Sequence, residues 1–320
     1  MIKNLTIKNF KSIKDLQLDC KRVNLFIGEP NVGKSNLLEA LGLFSFPLEM
    51  KTDGLIRTNN LSNLFFENDL SNIIQLIADR KTCTISYDRN LKLSFDLDDS
   101  FKRDFLGTLT DTVFSSQGAS LDFGIHPYFF KSLSKFDSDF YDFLIPPHGK
   151  NLFAILQTNK EVRAKVSDLI QETNFKLSLR PVTSEIEVSK EQNNVLTTYP
   201  YHLISDTIQR IIFYVSAIDT NKKDTTIILE EPESNVFPYY TKFLAEKIAL
   251  DPNRQYFITT HNPYFLQSVI EKTPLSELSV NLVRMDNYQT NATTLSQRGT
   301  EEILNLSADV FLNFDKLLEA

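Results

Sequence analysis

The chain has 320 residues, 42% of them hydrophobic and 23% charged, with a net charge of −7. That length buries a large core in one or two domains, and that charge excludes a surface coated in basic residues for duplex DNA, though not a local basic groove or DNA contact by an assembly. No apolar run approaches the roughly 18 residues of a membrane span, the amino terminus lacks a signal-peptide h-region, and Cys20, Cys83 and the four scattered histidines form no metal or redox spacing, so a cytoplasmic protein with reduced thiols and no membrane partner is expected.

Residues 1–27 read as two or three strands. Ile2, Leu5, Ile7, Phe10 and Ile13 come first, then Leu16 and Leu18, then the apolar run Val23–Ile27. That run leads into Gly28-Glu29-Pro30-Asn31-Val32-Gly33-Lys34-Ser35, a complete G-x-x-x-x-G-K-[ST] loop, and a helix over Asn36–Phe44 follows. Strand, loop and helix in that order form a phosphate cradle. Gly28 and Gly33 permit the tight path that aims backbone N–H groups at phosphates. Lys34 reaches the β- and γ-phosphates, Ser35 supplies a hydroxyl to Mg²⁺, and the helix beginning at Asn36 points its positive end at the anion. ATP with Mg²⁺ is the expected ligand.

Residues 46–200 are mixed. Turn signals stand at Pro47, Asp53-Gly54, Asn59-Asn60, Pro146-Pro147 and Asn193-Asn194. Leu91–Leu97 and Phe175–Leu179 alternate as strands do. Asn151–Ile170 reads as a helix interrupted near Asn159, and Pro181–Asn194 as a solvated hairpin.

After residue 200 the rhythm changes. Leu203, Ile204, Ile208, Ile211, Ile212, Val215 and Ile218 form a helical stripe. An apolar strand Thr226–Leu229 follows, then a helix around Tyr239–Ala249, a strand Gln255–Thr260 and a helix Tyr264–Glu271. Unalternated strands between helices predict a buried, mainly parallel sheet. Strands near Val280–Arg284 and Thr294–Ser296, and a helix from Thr300, complete the chain.

The strand Thr226–Leu229 ends in Glu230 and Glu231, with Pro232 turning the chain at once. Two carboxylates at a strand end sit at the rim of a parallel sheet, where ligands of open α/β folds bind. Glu230 is assigned to the metal side and Glu231 to the base that activates water. His261, at the end of the next strand, is placed to hydrogen-bond the γ-phosphate or the attacking water. Asn221-Lys-Lys-Asp224 matches a guanine-reading motif but lacks a companion D-x-x-G, so a GTPase switch is a third-ranked reading. Asp122-Phe-Gly124 is a chance match to a kinase motif.

The order of Gly28–Ser35, Leu229–Pro238 and Thr259–Pro263 resembles the ABC-type AAA ATPases of the RecF/SMC/OLD group, especially OLD-like ATPases of bacteria. Asn9-Phe-Lys-Ser-Ile13 also resembles that group's opening strands. The resemblance covers about 1–45 and 200–270, and the middle matches mainly at Pro147–Leu152. It implies an α/β P-loop NTPase fold of the ABC type, with a mainly parallel central sheet, an N-terminal antiparallel β-subdomain and a mixed α/β insertion. The expected divisions are 1–45, 46–200 and 201–320. It further implies a homodimer or higher oligomer with ATP at the interface, where Ser205 would grip the γ-phosphate in trans. Ser205 reads otherwise as a simple N-cap, and Asp206 stands where the group commonly has Gly, a charge that repels phosphate. Lys11 reads equally as a surface lysine or as a basic residue approaching the nucleotide. Gln75 is a weak match to a Q-loop.

SMC-like relatives carry coiled coils between the two motifs, and this stretch has no heptads. Full OLD nucleases carry a TOPRIM domain after the ATPase, and the stretch from His261 to Ala320 has no room for one, so no nuclease activity is expected in this chain. A separate effector, a nuclease or toxin of a bacterial defence or repair system, is the expected partner, with DNA a further one. The competing reading is an ATP-dependent clamp or scaffold that does not hydrolyse.

Overall fold

Alternating burial builds the first hairpin. β1 (Asn4–Phe10) buries Leu5, Ile7 and Phe10, and β2 (Ile13–Asp19) buries Ile13, Leu16 and Leu18. This hairpin extends into an antiparallel sheet of order β2-β1-β4-β5-β6-β7, through β4 (Ile74–Ala78), β5 (Lys81–Asp88), β6 (Asn90–Leu97) and β7 (Phe101–Gly107). The computed structural model describes residues 1–49, 54–97, 101–108, 121–137 and 141–319; Asp53, part of one expected turn, lies outside them.

A second sheet has the order β15-β14-β3-β13-β12-β8, made of β3 (Val23–Ile27), β8 (Ile125–Tyr128), β12 (Thr226–Glu230), β13 (Gln255–Thr259), β14 (Leu278–Asp286) and β15 (Gln289–Thr294). β14, β3, β13 and β12 run parallel, and β15 returns antiparallel on β14. Every residue of β3 and β13 is buried, which is why those segments read as unbroken apolar runs. This is the mainly parallel central sheet that the unalternated strands predict, with the antiparallel β-subdomain that the family resemblance implies. Helices α1 (Lys34–Gly42), α2 (Phe46–Glu49), α7 (Pro263–Lys272), α8 (Gln297–Leu306) and α9 (Phe314–Glu319) belong with these sheets. Phe46, Phe95 and Phe105 pack ring against ring at 5.1–6.0 Å between centroids, which gives part of the abundant phenylalanine its place in a core.

The chain divides into two compact units. One comprises Met1–Pro127, Asp224–Glu231 and Ala245–Ala320, and the other Tyr128–Lys223 and Pro232–Leu244. The second unit holds α3 (Leu152–Thr158), α4 (Lys160–Gln171), α5 (Asp206–Thr220) and the sheet β11-β10-β9, made of β9 (Lys176–Arg180), β10 (Glu185–Gln192) and β11 (Val195–Pro200). α6 (Pro238–Ala249) begins in it and ends in the first unit. Asn159 breaks the 151–170 helix by capping its second half, its Oδ1 accepting from Val162 N at 3.1 Å.

Three sequence expectations need correction. The last strand is Gln289–Thr294, not Thr294–Ser296, and the helix expected from Thr300 starts at Gln297 because Ser296 caps it through Gly299 N at 2.9 Å. The 181–194 stretch is not a hairpin exposed on all sides. It carries the central strand of a three-stranded sheet, with Glu187, Val188 and Ser189 buried.

Candidate nucleotide-binding site

The loop between β3 and α1 takes its shape from close packing. A Cβ on Gly28 would lie 2.2 Å from the Val283 carbonyl oxygen, and one on Gly33 2.0 Å from Thr290 Oγ1. Gly33 has φ 95° and Asn31 φ 63°, so the path also passes through the left-handed region that glycine and asparagine tolerate. Gly33 is the N-cap of α1, with no side-chain cap hydrogen bond and no acidic residue in the first turn. N–H groups at this end are thereby left for an anion.

Lys34 is buried, and its Nζ donates to the carbonyls of Gly28 at 2.9 Å and Glu29 at 2.6 Å. Burial lowers its pKa to about 8, against the pull of the negative charges of Glu231 and Glu29. Ser35 Oγ donates to Glu230 Oε1 at 2.5 Å, so the hydroxyl and the first carboxylate, far apart in sequence, meet. Glu231 is held at φ 41°, its N–H donating to Thr259 O at 3.1 Å. Its Oε1 lies 3.1 Å from His261 Nε2. A non-glycine residue at positive φ stores strain of the kind found at functional sites.

Lys34, Ser35, Glu231 and His261 line one cleft of about 490 Å³, within the usual range for ligand pockets, whereas Gly28, Glu29, Val32 and Glu230 are not among its lining residues. Lys11, Pro30, Asn31, Gly33, Lys34, Ser35, Asn36, Glu231 and His261 all face it, and so do Thr259, which opens the Thr259–Pro263 segment, and two residues the sequence reading missed, Glu39 and Arg57. Lys11 Nζ bonds to Glu39 and to the Arg57 carbonyl. Arg57 reaches Glu39 Oε1 through Nε and Glu230 Oε1 through a terminal nitrogen, both at 2.8 Å. Burial works against the Arg57 charge, yet bonding to the two carboxylates holds its pKa above the ordinary value. Glu39 carried one signal: a carboxylate between Leu38 and Ala40 in a run, Leu37–Phe44, that is otherwise without polar side chains. Arg57 carried none, because it arrives by tertiary folding.

The donor set suits the expected ligands. Ser35 and Glu230 present hard oxygens of the kind that Mg²⁺ takes alongside water and phosphate. The uncapped helix start and Lys34 suit phosphate. Among the described residues no group of three His, Cys, Asp or Glu side chains gathers to hold a metal by itself, and no helix is long and apolar enough to cross a membrane.

Ser205 belongs to the second unit. It is exposed at the N-cap of α5, its Oγ accepting from Ile208 N at 3.4 Å. Asp206 accepts from Asn235 Nδ2 at 3.4 Å and stands 4.0 Å from Arg210 Nε. Asn221 is buried and donates to the Tyr128 hydroxyl and the Ala217 carbonyl, so its amide closes α5 instead of facing a ligand. Asp122 bonds to Gly124 N and His126 within its own turn.

The mainly parallel sheet, with a glycine-rich loop leading from β3 into α1, is the fold of a P-loop NTPase. The chain belongs to the AAA ATPase family: residues 81–267 match the model described as "AAA domain, putative AbiEii toxin, Type IV TA system", and residues 1–120 match the "AAA ATPase domain" model. Comparison with curated proteins finds no match. Among solved structures, the chain is similar to an SMC head bound to the C-winged helix domain of ScpA, with 13% identity, 94% of this chain and 99% of that chain covered, and a TM-score of 0.56. A second is an SMC head domain with an extended coiled coil, bound to the C-terminal domain of ScpA derived from Pyrococcus furiosus. There the identity is 13%, the coverage 95% and 98%, and the TM-score 0.52. The likeness is one of fold.

Proposed function

We propose that this chain hydrolyses ATP in the cytoplasm and works as a dimer closed around the nucleotide. The gathering of Lys34, Ser35, Glu231 and His261 in one cleft, with Ser35 bonded to Glu230 and Glu231 beside His261, carries that reading. Backbone N–H groups of the Gly28–Asn36 segment cradle the phosphates, and Lys34 bonds the β- and γ-oxygens. Mg²⁺, when held by Ser35 and Glu230, neutralises charge on the phosphates. Glu231 orients and deprotonates the attacking water. His261, hydrogen-bonding distance from Glu231, donates to the γ-phosphate or to that water. Lys11 adds positive charge beside the phosphates. Ser205 of a second copy completes the site in trans.

Binding closes the dimer and hydrolysis opens it, and the motion passes to DNA or to a separate effector, a nuclease or toxin of a defence or repair system. A family model whose description names a putative toxin, and fold relatives whose titles name a bound ScpA domain, support a protein partner. The 46–200 segment is where its specificity resides.

The test is ATP hydrolysis against protein concentration, for the wild type and Glu231→Gln. A rate per subunit that rises with concentration and falls at least about 100-fold in the variant is expected. Asp206 supports a second reading, a slow ATP-dependent clamp, because a carboxylate in the first turn of α5 repels phosphate. Tight binding with negligible turnover in both proteins would select the clamp.

A further inference from the structure

Phosphate recognition accounts for one end of a nucleoside triphosphate and leaves its base to be held elsewhere. The cleft is polar: among its described lining residues only His261 offers an aromatic ring, and that ring lies beside Glu231. The phosphate loop is, however, bonded directly to the β14–β15 hairpin. Thr290 Oγ1 donates to the Val32 carbonyl at 2.9 Å, and Thr290 N donates to the Ser12 carbonyl at 2.8 Å. Ser12 Oγ lies 2.6 Å from Thr290 Oγ1 and accepts from Asn36 Nδ2 at 2.7 Å. The hairpin, the β1–β2 turn and the start of α1 therefore form one hydrogen-bonded body.

The tip of that hairpin is Asn287-Tyr288, with φ 49° and 61°. A two-residue turn with both central residues at positive φ favours Asn followed by Gly. A tyrosine in the second place is a strained choice. Its side chain is 91% exposed, so packing within the unit does not offset that strain. A flat aromatic ring is thus kept in water on a hairpin fixed to the phosphate loop. We propose that Tyr288 is the stacking platform for the purine base of the nucleotide whose phosphates the Gly28–Ser35 loop takes, an inference that rests on the nucleotide-binding reading of that loop. Base–aromatic stacking is tolerant of base identity and needs only an exposed π face.

Calorimetric titration with ATP and with inorganic triphosphate separates base from phosphate. Tyr288→Ala should weaken ATP about tenfold and leave triphosphate unchanged, while Tyr288→Phe should bind ATP like the wild type. Tyr288→Gly should weaken ATP equally and raise the unfolding temperature, because it relieves the turn. Wild-type ATP affinity in Tyr288→Ala, or equal losses for ATP and triphosphate, would overturn the proposal. A wild type that binds neither ligand would remove the nucleotide-binding premise itself, which is a distinguishable failure.

Discussion

Two helix N-termini carry residues assigned to phosphate, and they are finished in opposite ways. α1 starts behind a left-handed glycine, with no side-chain cap and no acidic residue in its first turn. α5 starts behind Ser205, which caps it, and places Asp206 in the first turn. The orphan N–H groups and positive end of α1 are left for an outside anion, reinforced by Lys34. At α5 the serine occupies one donor and the aspartate answers the dipole. The same element of secondary structure is thus built once as a receptor and once as a self-satisfied end. In the proposed dimer, the second would meet phosphate only through another copy of the chain.

The largest effect that tests this contrast is at Lys34. Lys34→Ala should weaken ATP at least about 100-fold by calorimetry, because it removes a charge-assisted contact in a buried setting, whereas Ser205→Ala should leave single-subunit affinity within about twofold. Equal losses would break the contrast.

The next effect is on pH. Burial lowers the Lys34 pKa to about 8, so the charged form that phosphate recognises is depleted as pH rises past that value. ATP affinity should fall above about pH 8, by up to about tenfold per pH unit, and Lys34→Arg should flatten the profile. The stability of the protein without nucleotide should move the other way. Between about 8 and the ordinary 10.5 the unfolded chain binds the proton that the folded one has lost, so stability rises with pH there.

The smallest effects sharpen the α5 side. Ser205→Ala should cost about 1 kcal/mol of unfolding free energy for a lost cap. If it also abolishes the concentration-dependent part of hydrolysis, Ser205 acts on the partner's nucleotide; if only stability changes, it is a cap alone. Asp206→Gly should raise the hydrolysis rate several-fold at high protein concentration, and an unchanged rate would show that the carboxylate does not restrain engagement.

Much of the candidate site is legible because its chemistry is written contiguously. Gly28–Ser35 is one unbroken motif between a strand and a helix, and Glu230-Glu231 and His261 each stand at the end of an apolar run. The parallel strands were legible for the same reason, being buried on both faces. What stayed hidden depends on pairing across distance. The alternation of β1 says that one face is buried, but not that Leu5 pairs with Ala78 and so continues the sheet into β4. Arg57 reaches Glu230 across a fold that no local pattern records. The strand near Val280–Arg284 falls inside β14, but its partner β15 is not legible because the turn between them is Asn287-Tyr288, lacking the glycine by which such turns are recognised.

The division of the chain into units has a mechanical corollary. Asp224–Glu231 is a short tract of the first unit that joins the second covalently at both ends, at Lys223 and at Pro232. The tract includes β12 and carries both carboxylates. A displacement of the second unit therefore pulls on this strand through the backbone itself. The first residue to feel the return connection is Glu231, already held at φ 41°. Load applied to the second unit would be read as a change in the alignment of the carboxylate assigned to water.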